Sequence, residues 1–255
     1  MPPSLTAAGR VATLTLDEPE TRNAITGAES LNAVVSALET DPADISVLVI
    51  TGAGPAFSAG GNIKDMAARQ GLFAGSPEEI MEGYRSSIQR LTRALLETDL
   101  VTVAAVNGPA IGAGFDLALG CDLRLGSTSA RFAHTFVDLG IIPGDGGAWL
   151  LPRVVGWQRA AELAFTARSV EAEEAREMGI LLEVTGPPDL MTRAMELARL
   201  IASKPAHSIR LAKRLLRHAK SMDLPGFLEF SAALQAISHH TDAHHQAMAG
   251  LKRSQ

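Results

Sequence analysis

The chain has one cysteine in 255 residues, Cys121. That excludes an internal disulfide and any metal cluster built from the cysteines of one chain, and it fits a reducing compartment. No apolar run approaches the roughly 20 residues needed to span a bilayer. The opening stretch, MPPSLTAAGRVATLTLDEPE, has neither the apolar block of a signal peptide nor the Arg-rich face of a transit peptide. An excess of positive charge is missing too. The formal net charge is -5 and the pI about 5.8, whereas nucleic acid and anionic membranes require a basic field. No internal repeat or low-complexity linker interrupts the chain. The expectation is a cytoplasmic chain with no nucleic-acid and no membrane partner, and its 46% hydrophobic content is enough to fill a core.

What is present alternates between two periodicities. RVATLTLDEP alternates as a strand does and stops at Pro19, and ISVLVITG, from Ile45 to Gly52, is a β-branched run that reads as a strand buried on both faces. Between them Leu31, Val34, Val35 and Leu38 share a helical face, with Thr26 and Glu29 spaced as a capping box. Ser76, Pro77 and Glu79 open a further helix whose apolar face runs through Ile80, Tyr84, Ile88, Leu91 and Leu95. LVTVAAVNG reads as another buried strand, then a short helix in PAIGAGFDLALG and a strand resuming at Asp122. Strands end near Arg193, and the last segments read as amphipathic helices. This predicts an α/β core over residues 1–192, largely parallel, and a helical segment over 193–255.

Three glycine-rich junctions stand out: AGPAFSAGGN, NGPAIGAGFD and GIIPGDGGAW. A phosphate loop would end in Gly-Lys-Ser/Thr, and none of them does. A dinucleotide fingerprint would put glycine where Leu117 stands, and a serine-hydrolase elbow would put glycine where Ala56 stands. What remains is a pair of peptide N–H groups from separate loops aimed at one carbonyl oxygen, an arrangement that typically stabilises an oxyanionic transition state by roughly 3 to 4 kcal/mol.

Five ordered segments, ETRNAI, FSAGGNIKDM, AAVNGPAIGAGFDLALGCDLRL, LGIIPGDGGAWLLPRVVG and AELAFTARSVEAEEAREMGILLEV, together resemble the crotonase, or enoyl-CoA hydratase/isomerase, family over almost the whole chain. The resemblance implies a crotonase-like spiral of β-β-α units with a helical C-terminal segment that drives trimer formation, often as a dimer of trimers. It implies an acyl-CoA substrate and no cofactor beyond the coenzyme A carried by that substrate, and no metal. The oxyanion N–H groups fall on Gly61 and Ala113. Coenzyme A contacts fall on Arg22, Asn23 and Ala24 and on the stretch Ala59, Gly60, Asn62, Ile63 and Lys64, with Lys252 and Arg253 as further basic side chains. One family glutamate is Asp116 here, and the other position holds Phe136, which moves no proton. Asp145 and His134 are the replacement candidates for the missing acid. The activity implied is enoyl-CoA hydration, with double-bond isomerisation by one carboxylate or a catalytically weak acyl-CoA binder as alternatives. The histidines of HHTDAHH read as a solvated or subunit-facing helix end, and the basic residues of RLAKRLLRHAK as a solvated face that could attract phosphates.

Overall fold

The computed structural model describes residues 3–39 and 45–253 and builds its main sheet around the two β-branched runs. In chain order the first half comprises β1 (Ser4–Ala8), β2 (Val11–Leu16), α1 (Ala28–Glu39), β3 (Val47–Gly52), α2 (Ile63–Ala68), α3 (Pro77–Ser86), α4 (Ile88–Glu97), β4 (Val101–Val106), β5 (Pro109–Ile111), α5 (Ala113–Gly120) and β6 (Leu123–Ser127). Then follow β7 (Arg131–Ala133), α6 (Gly147–Val155), α7 (Trp157–Thr166), β8 (Ser169–Glu171), α8 (Ala172–Glu177), β9 (Glu183–Thr185), α9 (Leu190–Ala202), α10 (Ala206–His218), α11 (Leu224–His239) and α12 (Asp242–Arg253). The side chains of Lys252 and Arg253 lie outside the described part.

Six strands form a sheet in the order β1-β2-β3-β4-β6-β9, parallel throughout except for the β1–β2 hairpin at its edge. A smaller sheet, β5-β7-β8, is tied to the loop after β3 by a bridge between Ser58 and Ala110. The alternation of β3 decides the layering. Leu48 and Ile50 face the large core with α1, α4 and α5, while Val47 and Val49 face a second core closed by α9. Each fully buried Val, Leu or Ile contributes about 1.5–3 kcal/mol, whereas an exposed pair such as Arg90–Glu39 contributes at most about 1 kcal/mol. Apolar packing therefore sets where α9 sits. Leu190, Ala194, Ala198 and Ala202 bury its face against the sheet, so the helix straddles residue 193 and core packing runs on to Ala202.

Two local expectations are corrected. The helix expected from Pro77 through Leu95 breaks at Ser87, whose φ of -117° and ψ of -95° are not helical. The Ser86 and Ser87 hydroxyls turn back onto the Glu82 and Gly83 carbonyls, and such back-bonding weakens a helix that already holds Gly83. The second concerns α10. Its basic residues are not a free solvated face, because Lys213 reaches the Leu100 carbonyl at 2.6 Å and Asp122 Oδ2 at 2.7 Å. Arg214 pairs with Asp99, and Arg217 donates to the carbonyls of Leu96 and Glu97. The capping box at Ser76 and Glu79 forms as read, while the Thr26 hydroxyl accepts the Asn62 N–H at 3.0 Å.

Lys213→Met should lower the stability of the chain by about 2 kcal/mol. That is below the range for removing one partner of a fully buried pair, because the Asp122 side chain is 34% exposed and keeps its bonds from Thr102. Urea denaturation reads this as a lower midpoint at unchanged slope; an unchanged midpoint would show that α10 is held by its apolar face alone.

Candidate active site

Two loops meet backbone to backbone at the carboxyl end of the main sheet. Gly60 adopts φ +76°, and a β-carbon on it would stand 2.4 Å from the Ile111 carbonyl oxygen and 2.7 Å from the Ala113 nitrogen. Only glycine fits both the angle and the gap. The loop is held by Ala59 N–H to Arg22 O, Ile25 N–H to Gly60 O and the Ser58 hydroxyl to Asn23 O. Among the described residues neither Gly61 N–H nor Ala113 N–H donates to another group of the chain, and Ala113 opens α5, where first-turn N–H groups have no partner within the helix. Gly61 and Ala113 thus lie on adjoining loops with their donors free.

Asp116 sits one turn into α5 and is 5% exposed. Its Oδ1 lies 3.0 Å from His134 Nε2, and its Oδ2 accepts the Gly147 N–H at 3.1 Å. Gly147 starts α6, and a β-carbon there would fall 2.0 Å from Asp116 Oδ1. The carboxylate therefore rests directly on a helix N-terminus, which favours its charged form. Asp145, in the loop before α6, is 4% exposed and lines one small cavity with the Asp116 carboxyl. Two carboxyl groups buried side by side cannot both ionise at neutral pH. Burial is the main cause for both: it lifts Asp116 to about 6, opposed by Asp145 beside it and by the hydrogen bond from Gly147. Burial, joined by the charge of Asp116, pushes Asp145 to about 9. Asp116 is accordingly the carboxylate of the pair and Asp145 the acid.

His134 is 1% exposed, and burial pushes it down to about 4, so the imidazole is neutral. A neutral ring 3.0 Å from a carboxylate carries its hydrogen on Nε2, which leaves the buried Nδ1 without a donor. Phe136 stacks edge-on at 4.8 Å and holds the ring in place. His134 orients Asp116 and is not a proton donor in its own right. The two rings meet although Phe136 already begins a turn.

The remaining expected residues divide. Asn23 turns inward and is 1% exposed: both amide hydrogens are spent on the Ala53 and Ala56 carbonyls and its oxygen accepts Glu18 N–H. Its side chain is a clamp, so the expected coenzyme A contact there is corrected. Arg22, Ala59, Asn62, Ile63 and Lys64 are at least partly exposed along the rim, and Ala24 is buried beneath them. Asn62 caps α2 by accepting the Lys64 N–H at 3.0 Å. Beyond Ile63 opens a pocket of about 610 Å³ walled by Met66, Phe73, Ile80, Leu139 and Ile141, with Arg69 and Gly75 from the stretch between α2 and α3 also on its lining. Deeper in, a cavity of about 10 Å³ touches Ala113, Asp116 and Asp145, room for about one water. Sequence reasoning missed Gln89, which donates to the Gly144 carbonyl at 2.8 Å, and Thr92, whose hydroxyl donates to the Asp145 carbonyl. Both lie on α4 and hold the acid's loop, and no motif marks them. In the tail, His239 Nδ1 lies 3.2 Å from His244 Nε2, and no group of three His, Cys, Asp or Glu among the described residues could hold a metal.

A family model described as enoyl-CoA hydratase/isomerase matches residues 6–253. The chain is 33% identical to the short-chain-enoyl-CoA hydratase of Clostridium acetobutylicum over 229 residues, 88% of this chain and 84% of that one. It is 34% identical to the 1,2-epoxyphenylacetyl-CoA isomerase of Escherichia coli over 230 residues, 89% of this chain and 86% of that one. The fold matches an enoyl-CoA hydratase structure from Bacillus anthracis with a TM-score of 0.92 at 29% identity, covering 100% of this chain and 97% of the other. It also matches a Thermobifida fusca protein solved in complex with CoA with a TM-score of 0.85 at 33% identity, covering 92% of each.

The buried acid pair makes stability depend on pH with a definite sign. Asp145 binds its proton more tightly folded than unfolded, so its contribution is complete below the ordinary value of 3.8 and is lost as pH rises toward about 9. His134 acts oppositely, but only below 6.5. Between pH 6.5 and 9, urea stability should therefore fall, by at most about 1.4 kcal/mol per pH unit. Asp145→Asn should flatten that slope; an equally steep fall in the variant would remove Asp145 as its source.

Proposed function

The chain belongs to the enoyl-CoA hydratase/isomerase family, and on that footing we propose that it performs acid–base chemistry on an enoyl-CoA thioester, with hydration of the double bond as the reading its site supports best. The observation that carries this reading is that Asp116 and Asp145 are both buried against one small cavity, where burial raises each and their closeness leaves room for a single charge. Phe136 stands where the second family glutamate is expected, and Asp145 supplies the second carboxyl from another loop.

The thioester oxygen accepts the free N–H groups of Gly61 and Ala113, which become better partners as charge develops on it. Asp116 takes a proton from water as the water oxygen bonds the β-carbon, and Asp145 delivers its proton to the α-carbon. The proton on Asp116 then passes to Asp145, and the site returns to its starting state. Relatives solved in complex with CoA and with acetoacetyl-CoA support a CoA thioester as substrate, with the acyl group directed to the 610 Å³ pocket. A second reading, double-bond isomerisation, is favoured by Phe136: an apolar wall activates no water, and one acid–base pair can lift a proton from one carbon and return it to another. The apolar side chains exposed on α11, Leu224, Leu228 and Ile237, support self-association as a trimer or a dimer of trimers. The reducing setting that suits Cys121 supports a cytoplasmic location.

The activity is tested with a panel of enoyl-CoA thioesters followed by absorbance and mass. Hydration removes the conjugated enoyl absorbance and adds the mass of one water, isomerisation moves the double bond at constant mass, and no turnover of any member sinks the proposal. The dependence of kcat/KM on pH should be bell-shaped, because the active form needs Asp116 ionised, above about 6, and Asp145 protonated, below about 9. Asp116→Asn and Asp145→Asn should each lower kcat by about 100-fold or more while CoA-thioester affinity, read by calorimetry, stays within about threefold of wild type. Unchanged turnover in either variant would remove that residue from the mechanism.

A further inference from the structure

The loop that carries Asp145 has little of its own to hold it. Asp145 stands between Gly144 and Gly146, and glycine gives up more backbone freedom on ordering than any other residue. Gly146 sits at φ +114°. The carboxyl is not anchored as its neighbour is: Asp116 meets His134 Nε2 and the Gly147 N–H, whereas Asp145 Oδ1 is buried with no partner among the described residues. The restraint comes from α4. Gln89 donates to the Gly144 carbonyl at 2.8 Å and the Thr92 hydroxyl donates to the Asp145 carbonyl, so the peptide units before and after Asp145 are each tied once. Gln89 and Thr92 are three positions apart, which puts both on one face of the helix. A helical threonine often turns its hydroxyl back onto its own helix, and the Ile88 carbonyl lies 3.4 Å away, but the Asp145 carbonyl is nearer. The Thr92 methyl faces Gly146, where a β-carbon would stand 2.8 Å from Cγ2. Thr92 also lines the 10 Å³ cavity together with Asp116 and Asp145.

Resting on the enoyl-CoA reading above, we propose that Thr92, together with Gln89, is a positioning residue for the catalytic acid: α4 fixes the backbone of Asp145 and thereby keeps its carboxyl beside Asp116. Neither side chain touches the reacting atoms in this role. Their effect passes through Asp145 and is geometric, since a reacting group displaced by about 1 Å can lose on the order of 100-fold in rate. Without the two bonds the Gly-Asp-Gly loop is free to carry the carboxyl away from Asp116, and the restriction to one charge between the two is relaxed. The other titratable groups around Asp145 are His134 and Tyr84. The α4 side chains bonded to the loop, Gln89 and Thr92, are neutral.

Thr92→Val keeps the methyl and removes the hydroxyl. It should lower kcat about tenfold with KM within about twofold, while Thr92→Ser, which keeps the hydroxyl, should stay within about threefold of wild-type kcat. In an Asp145→Asn background the same Thr92→Val change should alter kcat by less than about twofold, because the residue it acts through is no longer an acid. Read without substrate, the urea stability of Thr92→Val should fall less steeply between pH 6.5 and 9 than that of the wild type, since an Asp145 released from Asp116 binds its proton less tightly. Gln89→Met, which breaks the companion bond alone, should move both readouts in the same direction. Wild-type kcat in Thr92→Val, a tenfold loss that persists beside Asp145→Asn, or an unchanged pH slope would each overturn the inference. If the wild-type protein turns over no enoyl-CoA thioester, the proposed activity falls instead, and the pH slope still decides whether α4 holds Asp145 against Asp116.

Discussion

Two carboxyl groups pressed together out of reach of water can hold only one negative charge between them, and the organisation of the site follows from that constraint. Which of the two keeps its proton is decided by the surroundings. Asp116 rests on the first N–H of α6 and accepts from His134, so charge is stabilised there. Asp145 has no comparable donor on Oδ1. The result is one ionised and one protonated carboxyl side by side.

The fold supplies this arrangement by bringing chain ends of parallel strands together. The loop after β3 and the start of α5 after β4 and β5 meet at the carboxyl end of the main sheet, and their contact is close because residues there are Gly, Ala and Ser. Small side chains serve two purposes: they let the backbones pack, and they leave the N–H groups of Gly61 and Ala113 without a partner among the described residues. The α3–α4 break at Ser87 has a further effect. A continuous helix would have put Tyr84 and Leu95 on one face, whereas the break lets α3 wall the 610 Å³ pocket while α4 holds the loop of Asp145.

Much of the architecture was legible from periodicity, because a strand buried on both faces and a helix buried on one leave different traces. β3, β4 and the Ser76 cap were readable on those grounds. The Ser87 break was less so, since Ser86 and Ser87 permit a helix and only their back-bonding, seen in three dimensions, shows that it ends. Resemblance placed Gly61, Ala113 and Asp116 in the site but could not separate a ligand contact from a clamp at Asn23, because inward or outward orientation depends on which carbonyls surround the amide.

By itself the sequence determined the fold class, the glycine junctions and the absence of a second glutamate at Phe136, all of which depend on local letters and their spacing. Only the tertiary structure decided that Asp145 meets Asp116 while His134 stays neutral behind them. The three are separated by 11 to 29 positions along the chain, and their protonation is governed by burial and mutual distance, quantities that spacing does not contain.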